Sequence, residues 1–196
     1  MQAAFHAAKR VRAETSIGEF SVSVSSAAVE LARKVFGDLS DKSVLIVGSG
    51  EMGEIAARHL VSSGASLIRV ANRSPEKAQM LASQFHGEAV PFGELGRWIA
   101  KSDIVITSTG SPDIIIDRAM AQSAVWQRRN EPMVFIDISV PRNVDPAVGT
   151  LDNAFCYDID DLGAVVEASV GERREAAASA EKIIEEEVEA FCTRPK

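Results

Sequence analysis

The stretch Val44-Leu45-Ile46-Val47-Gly48-Ser49-Gly50-Glu51-Met52-Gly53 constrains this chain more than any other. Four apolar residues run into G-x-G-x-x-G, and a helix-forming segment, Glu51 to Leu60, follows. That order predicts a buried parallel strand, a tight glycine turn and a helix start. Gly48 permits the sharp turn. Gly50 leaves the backbone open to a pyrophosphate, and Gly53 lets the helix pack close to the strand. The free N–H groups and the positive dipole end at the helix start favour a diphosphate. The same glycines also suit a merely structural turn. The readable strand before them and helix after them favour a nucleotide site.

The chain of 196 residues is long enough for one good-sized domain with appendages, and 46% hydrophobic residues suffice for a core. No apolar run approaches the roughly 20 residues of a membrane span, and the first residues carry no signal-peptide core. A formal charge of −7 argues against a broad nucleic-acid grip on the body of the chain. Cys156 and Cys192 are too far apart to suggest a metal pair. They read as a buried strand thiol and a tail thiol, in keeping with a reducing cytoplasm.

Residues 2–13 read as a helix, 14–16 as a break and 21–36 as a second helix with Gly37 as its C-cap. Neither helix belongs to a nucleotide-binding unit. They read as a connector, residues 1–37, from a domain upstream, so the chain reads as a fragment of a longer protein. From Asp38 strands and helices alternate. Strands are expected at 43–47, 67–71, 88–91, 103–107, 133–138 and 154–157, and helices at 51–63, 75–85, 93–100 and 117–127. The fold class is therefore α/β: a doubly wound parallel sheet of Rossmann type over 38–159, with flanking N-terminal helices. Asp160 reads as the N-cap of a long amphipathic helix over 162–191, which leaves the globule toward another domain or instead caps the sheet.

The end of the second strand bears on the choice of nucleotide. NAD sites carry an acid there to hold the ribose hydroxyls. This chain has Asn72-Arg73-Ser74. Arg73 can pair with a 2′-phosphate, Ser74 offers a hydroxyl, and Lys77 can add a second cation, which points to NADPH. The competing reading of Arg73 is a solvated surface arginine. Asn72-Arg73-Ser74-Pro75 also reads as a helix N-cap with proline at N1, which holds together with the cofactor reading because the capping serine points at the same crevice. The candidate cofactor residues are Gly48, Ser49, Gly50, Glu51, Met52, Gly53, Asn72, Arg73, Ser74, Lys77, Thr107, Ser108, Thr109, Gly110, Ile138 and Ser139. The last six follow the fourth and fifth strands, where turn chemistry is the competing explanation. No catalytic set is legible. His6, His59 and His86 are isolated, and Asp158, Asp160 and Asp161 fit a capped helix start better than a metal patch.

At the level of whole motifs the chain resembles the middle part of bacterial glutamyl-tRNA reductase. The resemblance rests on Lys9-Arg-Val-Arg-Ala-Glu-Thr15, Ser21-Val-Ser-Val-Ser-Ser-Ala-Ala-Val-Glu-Leu31, Gly48-Ser-Gly-Glu-Met-Gly53, Ala71-Asn-Arg-Ser74 and Ser108-Thr-Gly110. Its most distinctive stretches are Ile136-Asp-Ile-Ser-Val-Pro-Arg-Asn-Val-Asp-Pro146 and Tyr157-Asp-Ile-Asp-Asp-Leu162, and Glu172-Arg-Arg-Glu-Ala176 continues it. The resemblance implies an oxidoreductase of tetrapyrrole (porphyrin) biosynthesis that reduces glutamyl-tRNA to glutamate-1-semialdehyde. A cysteine thiolate of an N-terminal domain forms a thioester, NADPH reduces it, and a spinal helix, begun here at 160–196, leads to a dimerisation domain. Glutamate-1-semialdehyde aminotransferase is the implied recipient of the product. The Thr-Cys-Asn-Arg-type motif that carries the cysteine is not found in these residues, so the fragment is expected to bind NADPH without turnover. Two other readings stay open. One is an NADP-dependent dehydrogenase of shikimate-dehydrogenase type, whose Lys/Asp pair is not found before the glycine turn. The other is a non-catalytic nucleotide-sensing scaffold.

Overall fold

A computed structural model describes residues 2–15 and 23–192 of the chain. Two helices come first, α1 (Gln2–Glu14) and α2 (Val24–Phe36). Strands and helices then alternate: β1 (Val44–Gly48), α3 (Glu51–Ser62), β2 (Ile68–Asn72), α4 (Pro75–Gln84) and β3 (Glu88–Pro91). A 3₁₀ turn at Phe92–Glu94 leads into α5 (Leu95–Ile99). Next come β4 (Ile104–Ser108), α6 (Arg118–Gln127), β5 (Met133–Asp137), a second 3₁₀ turn at Pro146–Thr150, β6 (Ala154–Asp158) and α7 (Ile159–Cys192). All six strands pair in parallel in the order β3-β2-β1-β4-β5-β6. This is the Rossmann order, and its reversal point lies between β1 and β4.

The sheet forms because β1, β4 and β5 are buried at every position and must be covered on both faces. Side chains alternate across a strand. Leu45, Val47, Val105, Met133 and Phe135 pack with Leu95 and Ile99 of α5 and with Ala121, Ala124 and Val125 of α6. The opposite parity, including Ile106 and Ser108, faces α3. There the helices offer small side chains, Ala56 and Ala57 on α3 and Ala27 and Ala28 on α2, all fully buried. Small residues let α2 lie close on α3.

The chain divides into two units. One runs from Ser23 to Gly163; the other comprises the described residues of Met1–Val22 and Ala164–Lys196. Helix α2, expected as part of a connector, thus packs within the sheet unit. In the second unit Arg10 of α1 pairs with Glu14 at 2.8 Å and reaches Glu186 at 3.2 Å and Glu187 at 3.0 Å on α7. The hydrogen bonds it donates to Glu14, Glu187 and Glu186 raise the guanidinium above its ordinary pKa. Glu14 is lowered in return, chiefly by the bond from Arg10.

Several element ends differ from expectation for local reasons. The expected start of the second helix at Ser21 lies outside the described residues, as does Ser16 in the expected break. Ser23 caps α2 in a reciprocal box: Ser26 N–H donates to Ser23 Oγ at 3.1 Å, and Ser23 N–H donates to Ser26 Oγ at 3.0 Å. The cap of α7 is Asp158, not Asp160. Asp158 Oδ1 accepts from the N–H groups of Asp160 and Asp161, and Asp161 Oδ2 accepts from Asp158 N–H. The single helix expected over 93–100 is a 3₁₀ turn followed by a five-residue α-helix.

Below the N-terminal ends of the strands Asp103 joins β1, β4 and α6. Its Oδ2 accepts from Ser43 N–H at 2.8 Å and Ser43 Oγ at 2.7 Å, and its Oδ1 accepts from Arg128 at 2.5 Å. Burial pushes this carboxyl up, but the Ser43 bonds and Arg128 together outweigh it and hold the pKa below the usual carboxylate value. A depressed folded-state pKa contributes stability above the unfolded value and loses it as pH falls. Asp103→Asn is expected to cost about 1–3 kcal/mol at pH 7. Urea unfolding of both proteins at pH 7 and pH 3 should show that gap narrowing at pH 3, below the unfolded pKa of about 3.9.

A candidate nucleotide-binding cleft

The C-terminal ends of β1, β2 and β4 open onto a cleft of about 540 Å³. It is lined by Gly48, Ser49 and Gly50 from the glycine turn, Asn72 and Arg73 from the end of β2, and Ser108, Thr109 and Gly110 from the end of β4. Phe92, Ser111, Pro112 and Ile115 complete the wall. A second hollow of about 470 Å³ shares Asn72, Arg73 and Phe92 with the first.

The glycine turn is shaped by one neighbour, Ser108. Gly48 has φ +103°, a conformation open to glycine, and a Cβ there would run into the Ser108 carbonyl. A Cβ on Gly50 would meet Ser108 Oγ, and one on Gly53 would meet Ser108 Cβ. Gly53 therefore serves close packing on β4 rather than on the strand that precedes it. Two hydrogen bonds fix the approach: Gly50 N–H donates to the Ser108 carbonyl at 3.1 Å, and Gly53 N–H donates to Ser108 Oγ at 3.2 Å. Gly50, the N-cap residue of α3, has no side chain with which to cap the helix, and Ser108 Oγ takes the Gly53 amide. The first-turn amides of Glu51 and Met52 thus keep the donor character that an anion uses at a helix start.

On the β2 side Arg73 is exposed, yet it is held. Its Nη2 donates to Ser111 Oγ at 3.2 Å, and its guanidinium stands 5.9 Å from the centre of the Phe92 ring. Asn72 Oδ1 accepts from Ser74 N–H at 3.0 Å, and Ser74 Oγ accepts from Lys77 N–H at 3.3 Å as the N-cap of α4. The cap and the arginine thus coexist.

The β5 side is a buried polar network around Asp137, 1% exposed. Its Oδ1 accepts from Thr107 Oγ1 at 2.6 Å and Ser139 N–H at 3.0 Å. Its Oδ2 accepts from the N–H groups of Asn143 at 2.7 Å and Val144 at 2.8 Å. Ser139 Oγ accepts in turn from Thr109 N–H at 3.2 Å.

Of the expected cofactor residues, Gly48, Ser49, Gly50, Asn72, Arg73, Ser108, Thr109 and Gly110 come together around the cleft. Thr107, Ile138 and Ser139 are buried behind its wall, where the two hydroxyls serve the Asp137 network. Gly53 lies under Ser108, Glu51 and Met52 are on the first turn of α3, and Ser74 and Lys77 are on the first turn of α4 or its cap. Phe92, Ser111, Pro112 and Ile115 were missed. Phe92 follows β3, another strand end pointing the same way, and Ser111-Pro112 prolongs the polar turn that begins at Ser108.

Fold and cleft together define a Rossmann-type nucleotide-binding domain. The chain belongs to the shikimate / quinate 5-dehydrogenase family, whose model matches residues 30–165. Within that breadth its likeness is to glutamyl-tRNA reductases. It is 53% identical to the glutamyl-tRNA reductase of Syntrophotalea carbinolica over 188 residues, covering 96% of this chain and 42% of that one. The enzyme of Thermodesulfovibrio yellowstonii is 51% identical over 97% of this chain and 44% of its own length. The solved glutamyl-tRNA reductase from Methanopyrus kandleri superposes with a TM-score of 0.90 at 40% identity, over 96% of this chain and 48% of that one. The chain spans less than half the length of these relatives.

The convergence on Ser108 is testable by a double-mutant cycle. Gly53→Ala should destabilise by about 1–3 kcal/mol through overpacking. Ser108→Gly, which removes the opposing Cβ, should recover much of that loss, giving a coupling of about 1 kcal/mol or more in urea unfolding. Strict additivity would show that the two positions do not collide.

Proposed function

We propose that this chain is the NADPH-binding domain of a glutamyl-tRNA reductase. Arg73 carries the reading: a cation stands at the end of β2, on the cleft wall, where an acid would select NAD. A guanidinium there complements a 2′-phosphate in charge and geometry, and none of the described residues that line the cleft is a carboxylate. The glycines bring the backbone to the surface at the β1–β4 reversal point, and the Glu51 and Met52 amides at the start of α3 suit a pyrophosphate. The cofactor, once bound, supplies a hydride. The residues of this chain hold and orient it, with the adenosine half at the Arg73–Phe92 rim and the nicotinamide half toward the loops after β4 and β5.

The whole reaction reduces glutamyl-tRNA to glutamate-1-semialdehyde through a cysteine thioester, for tetrapyrrole synthesis. The nucleophile is not Cys156. Burial, then the charges of Asp137, Asp158 and Asp161, push that thiol up to about 12, so it stays protonated at neutral pH. In this reading residues 1–37 connect to a catalytic domain that supplies the thiolate and the tRNA contacts. Residues 38–159 hold the cofactor, and 160–196 lead to a dimerisation domain. The aldehyde product passes to an aminotransferase. The setting is the cytoplasm, and among the described residues no helix is long and apolar enough to cross a membrane.

Isothermal titration of the chain is expected to show tighter binding of NADPH than of NADH. Arg73→Ala should cost NADPH about 10- to 100-fold, the value of a charge-assisted hydrogen bond or two, and NADH far less. Equal affinities for the two nucleotides in the unaltered chain would refute the reading.

A further inference from the structure

Asn143 lies on the loop after β5 and is fully buried. Its polar groups all have partners. Its N–H donates to Asp137 Oδ2 at 2.7 Å, and its carbonyl accepts from the N–H groups of Ile115 at 2.8 Å and Ile116 at 3.0 Å. Its side-chain amide donates to the carbonyls of Ser111 and Asp113, each at 3.0 Å, and its Oδ1 accepts from Thr109 Oγ1 at 2.5 Å. Thr109 Oγ1 accepts in turn from Ser111 N–H at 3.0 Å. Asn143 thereby grips the 109–116 segment at five atoms, and that segment is one wall of the cleft.

The outer end of this chain of bonds is Ser111, only 7% exposed, whose Oγ meets Arg73 across the cleft. The Ser111 backbone is fixed through both its N–H and its carbonyl, and its Oγ also accepts from Asp113 N–H at 3.4 Å, which favours one rotamer of the hydroxyl. An arginine has several freely rotating torsions, and an exposed one samples many rotamers. Here one end of the guanidinium is pinned by a residue that is itself pinned from behind.

We propose that Asn143 and Ser111 are positioning residues for nucleotide selectivity: Asn143 sets the 109–116 wall, Ser111 on that wall holds the Arg73 guanidinium, and the discrimination of NADPH from NADH depends on both. This inference rests on the NADPH reading above. It differs from a general packing role in one respect. Loss of packing weakens both nucleotides together, whereas loss of this alignment weakens the one that bears the 2′-phosphate.

The test is the ratio of NADPH to NADH affinity, measured by titration on the full chain. Melting curves first establish which variants fold. Ser111→Ala should lower the ratio about tenfold, the effect of one hydrogen bond to a charged group, while Ser111→Thr, which keeps the hydroxyl, should retain it. Asn143→Ala should lower the ratio to a similar extent. If that variant does not fold, Thr109→Val takes its place, since it removes only the hydroxyl between Asn143 and Ser111 and should also lower the ratio. Selectivity that survives Ser111→Ala, or survives loss of the inner link, overturns the inference while leaving the NADPH reading standing. An unaltered chain without selectivity overturns both.

Discussion

The close approach of α3 to the end of β4 is the constraint on which the rest of the cleft depends. Three glycines spread over two structural elements answer to a single serine. Gly48, Gly50 and Gly53 each leave room that a methyl group would fill with Ser108. The Gly50 and Gly53 amides then bond to that serine's carbonyl and hydroxyl. With the helix drawn in this far, its first turn opens at the place where the sheet order reverses, and the ends of β1, β2 and β4 share one wall. Apolar burial builds the sheet, but it would tolerate a helix set an ångström further out. The glycine–serine contact removes that freedom.

The other wall uses a different device. A carboxylate taken out of water is costly unless its oxygens are saturated with donors. Asp137 receives four, from one hydroxyl and three backbone amides, and each ties down a different point of the loops after β4 and β5. The loops owe their shape to this core rather than to regular secondary structure. Asn143 extends the same core outward to the cleft rim. One side of the cleft is thus set by steric closeness and the other by a saturated buried charge.

Much of the fold was legible in the sequence. The six strands and the helices between them follow from uninterrupted apolar runs and from glycine and proline punctuation, with ends displaced by a residue or so. The glycine turn and Arg73 were legible because each carries its own local chemistry. Ser108 was legible as a cleft residue but not as the reason for the glycines, since its partners lie 55 or more positions away in sequence. Asn143 lies inside the distinctive 136–146 stretch, but nothing local marks its role. An asparagine in a loop reads as turn chemistry until the fold shows the carbonyls it reaches. Asp160 reads as the helix cap because it opens the amphipathic period, whereas Asp158, which β6 delivers, caps the helix from two residues earlier. Phe92 carries no local mark of the cleft; only the parallel order of β3 beside β2 brings it to the Arg73 rim.

The pairing of Arg10 with Glu14, Glu186 and Glu187 has a consequence for the helical unit. One guanidinium serves three carboxylates, so this contact leaves an excess of negative charge along the line where α1 meets α7. Dissolved cations gather at such a line, and about 0.15 M electrolyte already confines its field to roughly 8 Å. Ionic strength therefore acts on this helix pair in two opposed senses, weakening the arginine's attraction while relieving the crowding of the glutamates. In the sheet unit the carboxylates of Asp137 and Asp103 are sheltered and matched by donors, and buried charges of that kind are screened much less.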